Sequence, residues 1–116
     1  MTNSLLVVRL KQVMMKSGAM MKPSEVLTQN RQLILDIISR YPVTNPRVFG
    51  SVAKGTDTEA SDLDLLVDTL PETDLFHMGG LYVELHDALG IELDVRSPGD
   101  ISPLFRTQVL AEARPL

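Results

Sequence analysis

The chain has 116 residues, of which 44% are hydrophobic, and its formal net charge is −4. A chain of this length forms one domain with a small core. No apolar run approaches the roughly 18 residues that a membrane-spanning helix needs, so no membrane partner is expected. The absence of cysteine excludes a disulfide framework and a thiolate metal site, and it fits a cytoplasmic location. Any bound metal would therefore need oxygen or imidazole ligands.

Charge is distributed unevenly along the chain. Residues 1–55 carry eight Lys and Arg against two Asp and Glu, whereas residues 56–116 carry three against thirteen. A carboxylate-rich surface repels a phosphate backbone, so a nucleic acid partner is not expected on the acidic half. A nucleotide can still bind there if divalent cations neutralise the charge.

Residues 1–20 contain no recognisable targeting peptide and are predicted to be an N-terminal extension. Two interpretations stay open for this extension, a flexible tail and an ordered extra element. Residues 21–116 are predicted to form the domain. Its first helix begins at Pro23 and ends near Tyr41, with one apolar stripe formed by Val26, Leu27, Leu33, Ile34, Ile37 and Ile38.

The rest of the domain alternates between strand and helix signals. Thr44 to Pro46 is typical of a turn, and it precedes a short strand, Arg47 to Phe49. Residues 52–61 are small and polar and are predicted to be a loop. The remaining elements are a strand from Leu63 to Val67, a helix from Glu72 to Leu89 capped by Gly90, a strand from Ile91 to Val95, and a helix that begins at Ser102 and Pro103.

The second helix is expected to bury Leu75, Met78, Tyr82, Leu85 and Leu89. With this order of elements, the fold class is α/β (α+β), a small mixed sheet flanked by helices.

Three aspartates are the strongest candidates for chemistry. In a strand, Asp62 and Asp64 leave the same face about 6.6 Å apart along the chain. If the strand that carries Asp94 pairs with theirs, the three carboxylates converge. Their mutual repulsion would raise pKa values or require a cation. Mg²⁺ suits an oxygen-only site, and two such ions can support in-line displacement at phosphorus.

Gly50 and Ser51 supply a candidate triphosphate site. A glycine at a strand-to-loop turn lets backbone N–H groups approach phosphate oxygens, and Ser51 adds a hydroxyl donor. Lys54, three residues further on, is a candidate partner for the β- and γ-phosphates or for departing pyrophosphate.

The pattern Gly50-Ser51, Asp62-x-Asp64 and a second acidic strand ending in Asp94 resembles the signature of the nucleotidyltransferase superfamily. It is most similar to the minimal nucleotidyltransferase group, over about residues 24–113. The resemblance implies that Asp62, Asp64 and Asp94 ligate two Mg²⁺ ions and form the catalytic site. It also implies that Gly50 and Ser51 hold the nucleoside triphosphate, which would be ATP.

Members of that group are commonly encoded beside a HEPN-domain ribonuclease toxin, and some inactivate the toxin by adding AMP to a tyrosine. The resemblance therefore implies a protein adenylyltransferase that acts as the antitoxin of a toxin–antitoxin pair. Its partners would be ATP and a HEPN-family toxin. A non-catalytic antitoxin, which neutralises its partner by direct contact, is the alternative from another class.

Two other nucleotide- or metal-binding motifs fit poorly. Residues Gly50 to Thr56 have the glycine spacing of a P-loop, but Thr56 stands where the motif needs lysine. A calcium-binding EF-hand loop starting at Asp57 would place Asp62 where it needs glycine. His77 and His86 fall on different faces of the second helix, which argues against a shared metal.

Overall fold

The computed structural model describes residues 21–116, so the prediction made for residues 1–20 lies outside the described part of the chain. The elements, in chain order, are α1 Pro23–Ile38, β1 Val43–Phe49, α2 Gly50–Lys54, β2 Leu63–Thr69, α3 Leu75–Leu89, β3 Leu93–Arg96, a 3₁₀ turn Pro98–Asp100, α4 Pro103–Glu112 and β4 Arg114–Pro115. Within residues 21–116, no helix has both the length and the apolar character to cross a bilayer.

The four strands form one sheet in the order β3-β2-β1-β4. β2 and β3 are parallel, and β1 is antiparallel to both β2 and β4. Parallel neighbours need a crossover connection, which α3 supplies between β2 and β3. The mixed sheet with flanking helices confirms the predicted fold class. The two-residue strand β4 was not predicted, since so short a segment has no periodicity to read.

The main core joins α1 and α3 to one face of the sheet. Its largest fully buried side chains are Ile34, Leu63, Leu65, Val67, Leu81, Leu85 and Leu89. Alternation along β2 turns Asp64, Leu66 and Asp68 to the opposite face. That second face carries the polar side chains of the candidate site.

Helix α1 begins as predicted and ends slightly earlier, at Ile38. Its predicted stripe is buried except for Leu33, which is exposed, so that assignment was wrong. The Glu25 side chain accepts a hydrogen bond from the Lys22 N–H at 3.2 Å. It therefore satisfies a backbone donor just before the first turn, near the positive end of the helix dipole.

A hydrogen bond to the side chain of Asp57 connects the loop after α2 to the start of α1. The residue is only 9% exposed, and its carboxylate accepts a hydrogen bond from the Ser24 N–H at 2.9 Å. We expect Asp57→Ala to lower the free energy of unfolding by about 1 kcal/mol, because it leaves a first-turn amide without its acceptor. Urea denaturation measures this loss. Glu59→Ala, at an exposed position of the same loop, is the control and should change stability little. Equal stability of the two variants would contradict this role.

Strand β1 begins at Val43, earlier than predicted, and the predicted turn at Thr44 to Pro46 was wrong. The segment is an irregularity inside the strand: the pairing with β2 shifts register between Thr44 and Arg47. Asn45 has a φ of 53°, and Pro46 lacks an N–H. Asn and Pro are common in turns, but at this position they form a bulge within the strand, because the residues on either side pair with β2.

Helix α3 begins at Leu75, three residues later than predicted, with Asp74 as its N-cap. Gly90 ends it in the left-handed conformation, as predicted. The predicted buried face was partly wrong: Leu75 is 88% exposed and Tyr82 is partly exposed, whereas Leu81 is buried. The helix carries apolar residues on nearly every side, so periodicity alone could not select the face that packs.

Candidate active site

The candidate site is built on one row of residues across the sheet. Asp64 pairs with Phe49 of β1 on one side and with Asp94 of β3 on the other. The prediction that the two acidic strands are neighbours is therefore confirmed. Asp62 lies just before β2 and is exposed. The row places Gly50, which follows Phe49, and Asp94 on opposite sides of Asp64.

The surroundings of Asp64 raise the pKa of its carboxyl group. Burial is the main cause that raises its pKa from 3.8 to about 6, and repulsion from Asp94 and Asp62 adds to it. Arg96 opposes the rise. Asp64 is thus a half-buried carboxylate repelled by two others, and added positive charge would stabilise its ionised form.

Arg96 supplies one such charge and was missed in the sequence. Its Nε donates to Asp94 Oδ2 at 2.6 Å, and this hydrogen bond raises the pKa of Arg96. Its position two residues after Asp94, on the same strand face, is the signal that could have identified it. Asp94 is turned toward Arg96, and among residues 21–116 no three Asp, Glu or His side chains are arranged to hold a metal ion as they stand. If all three aspartates are to bind metal together, Asp94 must therefore release its hydrogen bond with Arg96 and bind the ion instead.

Both the backbone conformation and the surroundings of Gly50 disfavour a side chain at this position. Its φ is +67°, a conformation that side chains disfavour, and an added Cβ would lie 2.3 Å from Asp64 Oδ2. The glycine therefore lets the backbone turn while the Asp64 carboxylate keeps its position. This contact between the two motifs could not be read from the sequence.

The segment Gly50–Lys54 is helical, so the predicted loop at residues 52–61 was wrong for its first three residues and right for the remainder. Helix α2 buries Val52 and Ala53 beneath the site, and Gly55 ends it. Phe49, at the N-cap, gives no side-chain hydrogen bond to the first turn. The first N–H groups of a helix have no partner inside the helix, so those beside Ser51 can serve an external acceptor.

Ser51 is the second residue of α2 and is partly exposed. Lys54 lies on the last turn of the same helix, where its Nζ is 3.6 Å from Glu112 Oε2 of α4. Both side chains are half-exposed, so this ion pair is weak and can exchange for another anion.

Asp68 belongs to a separate structural network. Arg47, only 9% exposed, donates to its Oδ1 at 2.9 Å, and Asn45 donates to its Oδ2 at 3.1 Å. Asp68 lies within β2, near its end. These bonds hold the irregular part of β1 against β2, at the opposite end of the strand from Asp64.

Comparison with known proteins assigns the class of this site. Residues 32–116 match the family model described as polymerase beta, nucleotidyltransferase. A protein of Methanocaldococcus jannaschii named as a candidate protein adenylyltransferase is 32% identical over 87 residues, which cover 75% of this chain and 94% of the relative. A second such protein from that organism is 31% identical over 66% of this chain and 76% of its own length.

Solved structures agree. One described as a candidate minimal nucleotidyltransferase is 40% identical, with a TM-score of 0.71 and coverage of 80% of this chain and 95% of that one. A toxin–antitoxin structure with AMP-PNP shares the fold alone, at 23% identity, a TM-score of 0.63 and coverage of 74% and 71%. The fold and the site define a nucleotide-transferring enzyme. This chain belongs to the polymerase beta type nucleotidyltransferase family, among its minimal members.

Proposed function

We propose that this enzyme transfers AMP from ATP to a hydroxyl group of a partner protein, a tyrosine of a HEPN-family toxin, and so acts as a cytoplasmic antitoxin. One observation carries the proposal. Gly50, at the uncapped start of α2, lies against Asp64, which is flanked by Asp94 on the next strand. The turn that we assign to triphosphate binding is thus adjacent to the acidic residues.

The donor set fits Mg²⁺. Asp62, Asp64 and Asp94 offer only oxygen ligands, and the raised pKa of Asp64 supports the binding of added positive charge there. We assign these three carboxylates as ligands of two ions. When bound, the ions supply charge neutralisation of the phosphates and polarisation of the attacking hydroxyl.

Phosphate binding and proton transfer are assigned to groups of the chain itself. The N–H groups at the start of α2 and the Ser51 hydroxyl bind and orient phosphate oxygens. Lys54, on the last turn of α2, is assigned to the departing pyrophosphate. Asp94, on the opposite side of Asp64, accepts the proton that the attacking hydroxyl loses.

Relatives and fold neighbours support the choice of acceptor. Two relatives are named as candidate protein adenylyltransferases, and a fold neighbour is a toxin–antitoxin structure that contains a nucleotide analogue. Those descriptions belong to those proteins, and we extend them to this chain as part of the proposal.

The test mixes the protein with α-³²P-labelled ATP, Mg²⁺ and the product of the neighbouring gene, and follows label on that product. Asp62→Asn combined with Asp64→Asn should reduce labelling to background, because both proposed ligands lose their charge. Glu59→Ala should leave it unchanged. Labelling that survives the double substitution would overturn catalysis at this site. Neutralisation of the partner without Mg²⁺ or nucleotide would instead favour a binding module.

A further inference from the structure

A cleft opens beside Asp94, between the first half of α3 and the end of β3. Its volume is about 570 Å³. Leu75, Met78 and Tyr82 of α3 line it on one side, and Asp94 and Asp100 line it on the other. A cleft lined by both apolar and acidic residues suits an aromatic group that carries a polar end.

We propose that this cleft binds the acceptor residue, a tyrosine side chain of the partner protein, with its hydroxyl toward Asp94. This inference rests on the proposed function. The phenolic oxygen forms a bond to the α-phosphorus of ATP, and the bond between that phosphorus and the bridging oxygen breaks. Pyrophosphate leaves, and the phenolic proton passes to Asp94.

The position of the cleft favours the acceptor over the nucleotide. In-line displacement places the attacking and leaving oxygens on opposite sides of the phosphorus. Gly50 and Ser51, which would hold the leaving pyrophosphate, lie on the β1 side of Asp64. The cleft lies on the β3 side, next to Asp94. A group bound there approaches from the side that the reaction requires.

Gly79, in the middle of α3, gives independent support. Glycine destabilises a helix interior relative to alanine, so its presence calls for a reason. A Cβ on Gly79 would meet no atom within 4 Å, whereas one on Gly80 would meet the Tyr41 ring at 3.3 Å. Packing inside the chain therefore explains Gly80 and leaves Gly79 unexplained. Gly79 lines the cleft, where a missing side chain makes room for a bound group.

Exposed apolar residues at the rim of the cleft indicate that the bound aromatic group belongs to a protein. Leu75 and Phe76, adjacent at the start of α3, are 88% and 90% exposed. Large apolar side chains this exposed are typical of surfaces that contact another protein. The Tyr82 ring stacks on His86, with the ring centroids 5.7 Å apart, which fixes an aromatic surface in the cleft.

The test uses N-acetyl-tyrosinamide as probe and acceptor. In NMR titrations it should shift the amide signals of Leu75 and Gly79 in wild type, and adenosine should not. Gly79→Leu should abolish these shifts and raise the KM for the probe at least tenfold in label transfer from ATP, with the KM for ATP unchanged. Gly79→Ala should raise the Tm by about 4 °C, since alanine favours the helix. Gly80→Ala is the matched control and should leave probe binding intact.

The outcomes separate the two proposals. Shifts caused by adenosine and not by the probe would make the cleft a base-binding site and overturn the inference, as would probe binding by Gly79→Leu equal to wild type. Probe binding in the cleft without any transfer of label to the probe or to the partner protein would support the binding inference while the proposed function fails.

Discussion

Replacing Gly50 with alanine is expected to lower the rate of nucleotidyl transfer by about 100-fold or more. The new Cβ would lie 2.3 Å from Asp64 Oδ2, so the carboxylate must move away from the position that it holds beside Asp94. A displacement on the order of 1 Å is enough for a loss of this size. Initial rates of label transfer from ATP, measured at saturating Mg²⁺, give the effect directly.

Gly55→Ala is the matched control for backbone strain. Gly55 has a φ of +72°, close to the +67° of Gly50, but a Cβ there meets nothing within 4 Å. Both variants should lose about 1 kcal/mol of stability from the left-handed conformation. Only the Gly50 variant should lose activity. Equal activities for the two variants would show that contact with Asp64 is unimportant.

Asp64→Asn is expected to have opposite effects on stability with and without metal. In EDTA at pH 7.5 the variant should be more stable than wild type by on the order of 1 kcal/mol, because it removes a half-buried charge that Asp94 and Asp62 repel. With Mg²⁺ the order should reverse, since only wild type gains the binding energy of the ion. Thermal unfolding in the two buffers measures both effects.

The pH dependence in EDTA follows from the same carboxylate. The pKa of Asp64 is about 6 in the folded protein and 3.8 ordinarily, so the folded state binds its proton more tightly. Its contribution to stability is present below about pH 4 and is lost as pH rises to about 6. Asp64→Asn should lack this decline. Asp68→Asn, the control, removes the negative charge that pairs with buried Arg47, so it should destabilise the protein at pH 7.5 with or without Mg²⁺. A wild-type Tm that rises between pH 4 and pH 6, relative to Asp64→Asn, would contradict the assignment.

The sequence was most informative where local rules act alone. Pro23, Gly90 and the Ser102-Pro103 pair mark helix ends because caps depend on neighbouring residues only. Alternation in β2 placed Leu63, Leu65 and Val67 in the core and Asp64 on the opposite face for the same reason, whereas Asp62 lies just before the strand. The sequence failed at Thr44 to Pro46 and along α3, where a bulge and a choice of buried face depend on partners distant in the chain.

The features of the candidate site likewise fall into those that the sequence predicted and those that only the structure revealed. Motif spacing predicted its five residues, and Lys54 was predicted from its proximity to Gly50 and Ser51. The pairing of Asp64 with Asp94 confirmed the strand order that the convergence needs. The clash that forbids a side chain at Gly50, the bond between Arg96 and Asp94, and the cleft beside Gly79 depend on distances across the sheet and between elements. The sequence by itself determined which groups are available for chemistry, because side-chain type and strand parity are local properties. Only the tertiary structure decided what each group faces, because burial and contact arise when distant segments pack together.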